Sequence, residues 1–121
     1  MPSVINWFEI PASNMDRACA FYAAIIGASF QRSPEMPDNA FFDHDETGVC
    51  GEVCKSDDMT AGPGGVRIYL NAPKGVADAL ARVEAAGGRI VLQKTAIGPH
   101  GFIGVIEDTE GNHVGLHNME G

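Results

Sequence analysis

Apolar and polar positions along this chain switch between two periods, and the switches mark the elements. Residues 4–10 alternate at period two, which predicts a strand that Pro11 ends. Met15, Cys19, Tyr22 and Ile26 then fall on one stripe, predicting an amphipathic helix that Gly27 stops. Ser13 followed by Asp16 resembles a capping box, with Asn14 as the alternative cap. Strands are expected over residues 28–32, 40–44 and 49–55, with the two-proline stretch 33–39 as a loop and residues 45–48 as a turn.

Residues 56–65, SDDMTAGPGG, read as a linker, and after it the pattern starts again. A strand is expected over residues 66–70. Val76, Leu80 and Val83 mark a second helix stripe, stopped by Gly87 and Gly88. A strand over residues 89–96 follows, then two more within residues 98–118 around the turn at 108–111. Each half thus reads strand, helix, strand, strand, strand. The halves also align: Phe21 matches Ala81 at an offset of 60, Asp45 matches Asp108 at 63, and Gly51 is matched to Gly115 at 64.

The expected fold is α+β: two tandem βαβββ units form a curved mixed sheet around a shared trough. One domain spans 1–121, with unit one at 1–55, the linker at 56–65 and unit two at 66–121. Side chains alternate across a strand. If Val66, Ile68 and Leu70 pack on the helix, Arg67 and Tyr69 face the trough, and so do Trp7 and Glu9 at the same offset. In the last strand Val114 and Leu116 pack while His113, Gly115 and His117 look inward. Placing Gly51 inward puts Glu52 on the helix side between Cys50 and Cys54, an awkward position that snorkelling or a bulge would have to relieve.

Composition narrows the partners. A formal net charge of −8 argues against nucleic acid and anionic membranes as partners, since both reward Lys and Arg clusters that the chain lacks. No apolar run reaches the roughly 20 residues of a membrane span, and the opening MPSVINWFEI lacks a signal-peptide pattern. Three cysteines without a CxxC pair read as buried thiols in a reducing compartment, so a cytoplasmic location is expected.

NWFEIPASNMDRACAFY with Gly27, VRIYLNAPKGVADALARVEAAGG and FIGVIEDTEGNHVGLHN, in that order, resemble the vicinal oxygen chelate superfamily across essentially the whole chain. That superfamily includes glyoxalase I, extradiol dioxygenases and bleomycin-resistance proteins. Its metal-dependent members hold a divalent ion with His or Glu on the first and last strands of each unit, to polarise vicinal oxygens. The resemblance places those positions at Trp7, at Val66 or Arg67, at Gly51 and at Gly115, none of which is a ligand. The family metal site is therefore expected to be missing, and no cofactor is expected.

The remaining candidates carry acid–base or binding chemistry. Glu9, beside Trp7, is read as a general base or as the salt-bridge partner of Arg67. His117 is read as an acid–base group, as a relocated metal ligand with Glu9, or as a surface histidine. Trp7, Arg67, Tyr69, His100 and His113 are the candidate substrate-binding residues, His100 through a loop bending over the trough mouth. Two functions follow: a metal-free module that binds a small organic metabolite, or a lyase, isomerase or dioxygenase with relocated ligands. A homodimer is expected, with the apolar edges of one copy covered by its partner.

Overall fold

The computed structural model describes residues 4–121. The first three residues of the stretch read for a signal peptide lie outside them. Unit one contains β1 (Trp7–Pro11), α1 (Met15–Ile26), β2 (Phe30–Ser33), β3 (Met36–Phe42) and β4 (Cys50–Cys54). Unit two contains β5 (Tyr69–Asn71), α2 (Val76–Val83), β6 (Arg89–Ala96), β7 (Phe102–Glu107) and β8 (His113–Asn118). Each unit forms a mixed four-stranded sheet, in the orders β1-β4-β3-β2 and β5-β8-β7-β6. The first and last strands of each unit pair in parallel and the other neighbours antiparallel.

The helix ends follow local chemistry. Asn14, not Ser13, caps α1: its side chain accepts from the Arg17 N–H at 3.0 Å. Gly27 adopts φ 70° and its N–H closes the last turn on the Ala23 carbonyl at 3.0 Å. The Ser13 and Asn14 N–H groups, orphaned at the helix start, donate instead to Glu110 of unit two, at 2.9 and 3.0 Å.

Two expected boundaries move. Residues 33–39 are not a loop throughout, since β3 already starts at Met36. Pro37 is tolerated there because it falls in the register slip between Arg32 and Ser33, where it lacks a ladder partner on either side. The strand expected at residues 66–70 shrinks to β5, and Val66 is 94% exposed rather than packed on a helix.

One core serves both units. Phe21, Tyr22 and Ile25 of α1 and Val76, Leu80 and Val83 of α2 join Ile10, Val53, Leu70, Ile106 and Leu116 from the sheets. The helices pack on each other, and each covers one face of its own sheet. Gly104 lets α2 approach closely, because a Cβ there would stand 3.1 Å from both Leu80 and Val76. The opposite sheet faces remain open: Trp7, Tyr69, Val91 and Leu92 are about two-fifths exposed.

Candidate functional site

The open face of unit one is set by strand register. Trp7, Glu9 and Pro11 pair with Cys50, Glu52 and Cys54, so all six project to one side. Phe8 and Ile10 pair with Gly51 and Val53 on the helix side. Gly51 therefore does not face the trough. It lies under the Phe8 ring, whose atoms stand 2.4 to 2.5 Å from where its Cβ would be. Glu52 takes the open-face position, and neither snorkelling nor a bulge is needed.

The backbone shows why the match of Gly51 to Gly115 fails. The Ala12 N–H donates to the Cys54 carbonyl and the Ala72 N–H to the His117 carbonyl, both at 2.9 Å. Cys54 thus corresponds to His117, and Glu52 to Gly115. The offset of the turns, Asp45 to Asp108, continues unbroken into the strands. The position that the resemblance assigned to Gly51 is filled by Glu52, a potential ligand.

Glu52 is 5% exposed. Its Oε1 accepts from Asn39 Nδ2 at 2.6 Å. One donor atom each of Glu9, Glu52 and Cys54 lies within 4.8 Å of the others. Burial first, then the charges of Glu52, Glu9 and Asp58, pushes the Cys54 thiol up to about 11. Trp7 leans on Phe41 with ring centroids 6.1 Å apart, which makes an apolar wall beside these carboxylates.

In unit two, Tyr69 pairs with Gly115 and Asn71 with His117 on the open face. The Tyr69 ring lies across Gly115, its atoms 2.1 to 2.6 Å from where a Cβ would be. His117 Nε2 is 2.6 Å from the His100 carbonyl. A carbonyl oxygen only accepts, so Nε2 carries a proton and donates to it. The His100 side chain is exposed, and its tie to His117 is through the backbone. His113 Nε2 lies 3.1 Å from Glu107 Oε1, and Arg89 reaches the same oxygen at 3.0 Å. Hydrogen bonds from Arg89 and His113 hold the Glu107 carboxyl below its ordinary value.

The predicted residues divide between places. Glu9 and His113 meet in a cleft of about 120 Å³ at the seam of the units, walled by Thr60, Gly62 and Gly64 of the linker. Trp7, Arg67, Tyr69 and His117 do not line it. Among the described residues Arg67 makes no ion pair, so the salt bridge to Glu9 does not form. Asn112 pins this seam: it donates to the Pro11 carbonyl at 2.7 Å and to Asp108 at 2.9 Å, and accepts from the Gly62 N–H at 3.0 Å. Sequence reasoning missed Asn112, Glu52 and Cys54 as site residues. For Glu52 the signal existed, in the constant offset of 63.

The family arrangement of ligands does not fit this chain. Of the four positions, Trp7, Arg67 and Gly115 offer no donor of the required kind, and only Glu52 does.

Comparison with known proteins agrees with this architecture. The chain aligns with a glyoxalase-related enzyme from Fulvimarina pelagi at TM-score 0.72 and 19% identity, covering 93% of this chain and 86% of that one. It aligns with the fosfomycin resistance protein FosX from Listeria monocytogenes at TM-score 0.71 and 16% identity, covering 99% and 94%. The lactoylglutathione lyase from Agrobacterium tumefaciens aligns at TM-score 0.64 and 19% identity, covering 96% and 93%. At these identities the likeness is one of fold. A search of curated protein sequences finds no match. The Glyoxalase/Bleomycin resistance protein/Dioxygenase superfamily model matches residues 4–116, and the chain belongs to that superfamily.

Proposed function

We propose that this chain binds a small organic metabolite on the open faces of its sheets, without the four-ligand metal site usual in its superfamily. The observation that carries this reading is that Trp7 and Tyr69 stand half-exposed on the open faces, paired with the small residues Cys50 and Gly115, where three of the four family positions hold no donor. Trp7 and Tyr69 supply aromatic walls, and unpaired Arg67 supplies a fork for a carboxylate or phosphate. The His100 loop borders the ligand beside His117, and His113, on the same strand face but lining the seam cleft, marks its far limit.

Two copies pair in this proposal, the exposed Val91 and Leu92 of β6 being covered by the partner. The three free cysteines support a reducing, cytoplasmic setting. Among the described residues no helix is long and apolar enough to cross a membrane.

Trp7 is the sole tryptophan, so its fluorescence reports directly on the face. Titration with small aromatic carboxylates and organophosphates is expected to shift that emission saturably. Tyr69→Ala and Arg67→Ala should each weaken binding about tenfold, the loss of roughly 1.4 kcal/mol. A flat response to every class, with folded protein, refutes the reading.

A second reading is favoured by Glu9, Glu52 and Cys54: a metal-dependent lyase, isomerase or dioxygenase with relocated ligands. There Glu9 or His117 moves the proton. Turnover of a hemithioacetal that depends on added metal and is lost in Glu9→Gln supports it. Metal-independent silence removes it.

A further inference from the structure

We propose that Glu9, Glu52 and Cys54 form a binding site for one thiophilic divalent cation of the zinc or cobalt type, built wholly from unit one. Three observations converge on it. The first is register: Glu9 and Glu52 face each other across the parallel β1–β4 pair, and Cys54 follows two residues along on the same face. Their donor atoms lie within 4.8 Å of one another. Ligand distances of about 2.0 to 2.3 Å to a central ion imply donor separations of roughly 3.3 to 4 Å, within reach of small side-chain rotations.

The second observation is charge. Glu52 is 5% exposed and stands beside another carboxylate, yet among the described residues no Lys, Arg or His pairs with either. A buried carboxylate beside a like charge is costly unless a cation or proton joins it. Asn39 holds one Glu52 oxygen at 2.6 Å, as an outer partner orients a ligand, and the other oxygen is not sealed in and stays free to meet a cation.

The third is Cys54. Its side chain is 4% exposed and aims into the same group, and the thiol makes no hydrogen bond among the described residues. Sulfur selects the cation class: a thiolate with two carboxylates suits zinc or cobalt, whereas magnesium and calcium prefer all-oxygen sites. Three protein donors leave a fourth position for water or a ligand oxygen. Of the superfamily's four positions only Glu52 takes part, and unit two contributes nothing. The site deepens the second, metal-dependent reading and does not depend on the metabolite-binding one. Because its test uses no organic ligand and no turnover, metal binding and activity can fail separately.

The experiment titrates chelator-treated protein with cobalt(II) while absorbance is followed. One cobalt per chain is expected, with a sulfur-to-metal charge-transfer band in the near ultraviolet that zinc(II) displaces and magnesium(II) does not. Cys54→Ser should abolish the band and Glu52→Gln should weaken binding at least tenfold. Cys50→Ser, on the same face but outside the group, should leave both unchanged. Glu9→Gln, at an exposed position that folding tolerates, should also weaken binding. The proposal is overturned if no band appears, if Cys54→Ser retains it, if Glu9→Gln binds as the parent does, or if magnesium competes equally. Tryptophan titrations with organic ligands are scored separately, so failure of one leaves the other standing.

Discussion

Glu52 stands in register with Glu9 across the parallel β1–β4 pair, buried and without a cationic side chain beside it. In metal-free protein this arrangement carries like-charge and desolvation costs that a neutral isostere avoids. Glu52→Gln keeps an acceptor for Asn39 and removes a charge, so it should raise the melting temperature in chelator by a few degrees, roughly 1 kcal/mol. Glu52→Ala leaves the Asn39 amide unpaired and should lower it by about as much. Thermal melts with and without zinc distinguish the two, since zinc should reverse the order of parent and Glu52→Gln.

Glu110 joins the units and should set acid stability. Its side chain is 1% exposed and takes Arg17 Nε at 2.7 Å along with the Ser13 and Asn14 N–H groups. Burial alone would raise its carboxyl, but hydrogen bonds from Arg17, Asn14, Thr109 and Ser13 outweigh it and bring the value down to about 2. A carboxyl lowered on folding stabilises above its unfolded value of about 4.3 and loses that contribution as pH falls through its folded value. Stability should therefore drop between about pH 4.5 and 2, and Glu110→Gln should flatten that part of the profile. At neutral pH Glu110→Ala should cost about 1 to 2 kcal/mol in urea titrations, because it takes the shared acceptor from the Ser13 and Asn14 N–H groups and from Arg17.

The helices and most of the strands were legible because their periods and glycine stops are local features. In unit one Trp7 and Glu9 face as expected, but the facing of β4 was not legible. Gly51 and Gly115 both lie under an aromatic ring of the paired strand, Phe8 and Tyr69, but on opposite sheet faces. Matching glycine to glycine introduced one residue of slip, and one residue of slip inverts every side chain. That inversion hid Glu52 and Cys54. Unit two had no such decoy, and Tyr69, His113 and His117 face as expected. Long-range contacts such as Asn112 to Pro11 leave no periodic trace at all.

The two aromatic–glycine pairs should respond differently to a methyl group. Phe8 packs on Phe42 at 5.4 Å within the core's margin, so Gly51→Ala forces a packed ring aside and should cost about 2 to 4 kcal/mol. Tyr69 is 45% exposed and its ring can swing outward, so Gly115→Ala should cost less than about 1.5 kcal/mol. Denaturant unfolding of both variants checks the ranking. Gly115→Ala should also weaken any aromatic ligand seen by Trp7 fluorescence.

Asn112 should control the linker. Buried at 6% exposure, it holds the Pro11 carbonyl of β1, the Gly62 N–H of the linker and Asp108 of the turn after β7. Asp108 in turn accepts from the Tyr22 hydroxyl at 2.7 Å, and burial followed by the Asp108 charge keeps that phenol well above its ordinary value. Tyr22→Phe removes one bond and leaves Asp108 with Asn112 and two backbone donors, so it should cost about 1 kcal/mol. Asn112→Ala removes three partners at once and leaves the Pro11 carbonyl without its amide donor. It should cost about 2 to 4 kcal/mol and release residues 56–65. Limited proteolysis under native conditions should then cut within that stretch several times faster than in Tyr22→Phe matched for global stability. Equal cutting in the two variants would show that the linker is held by something other than Asn112.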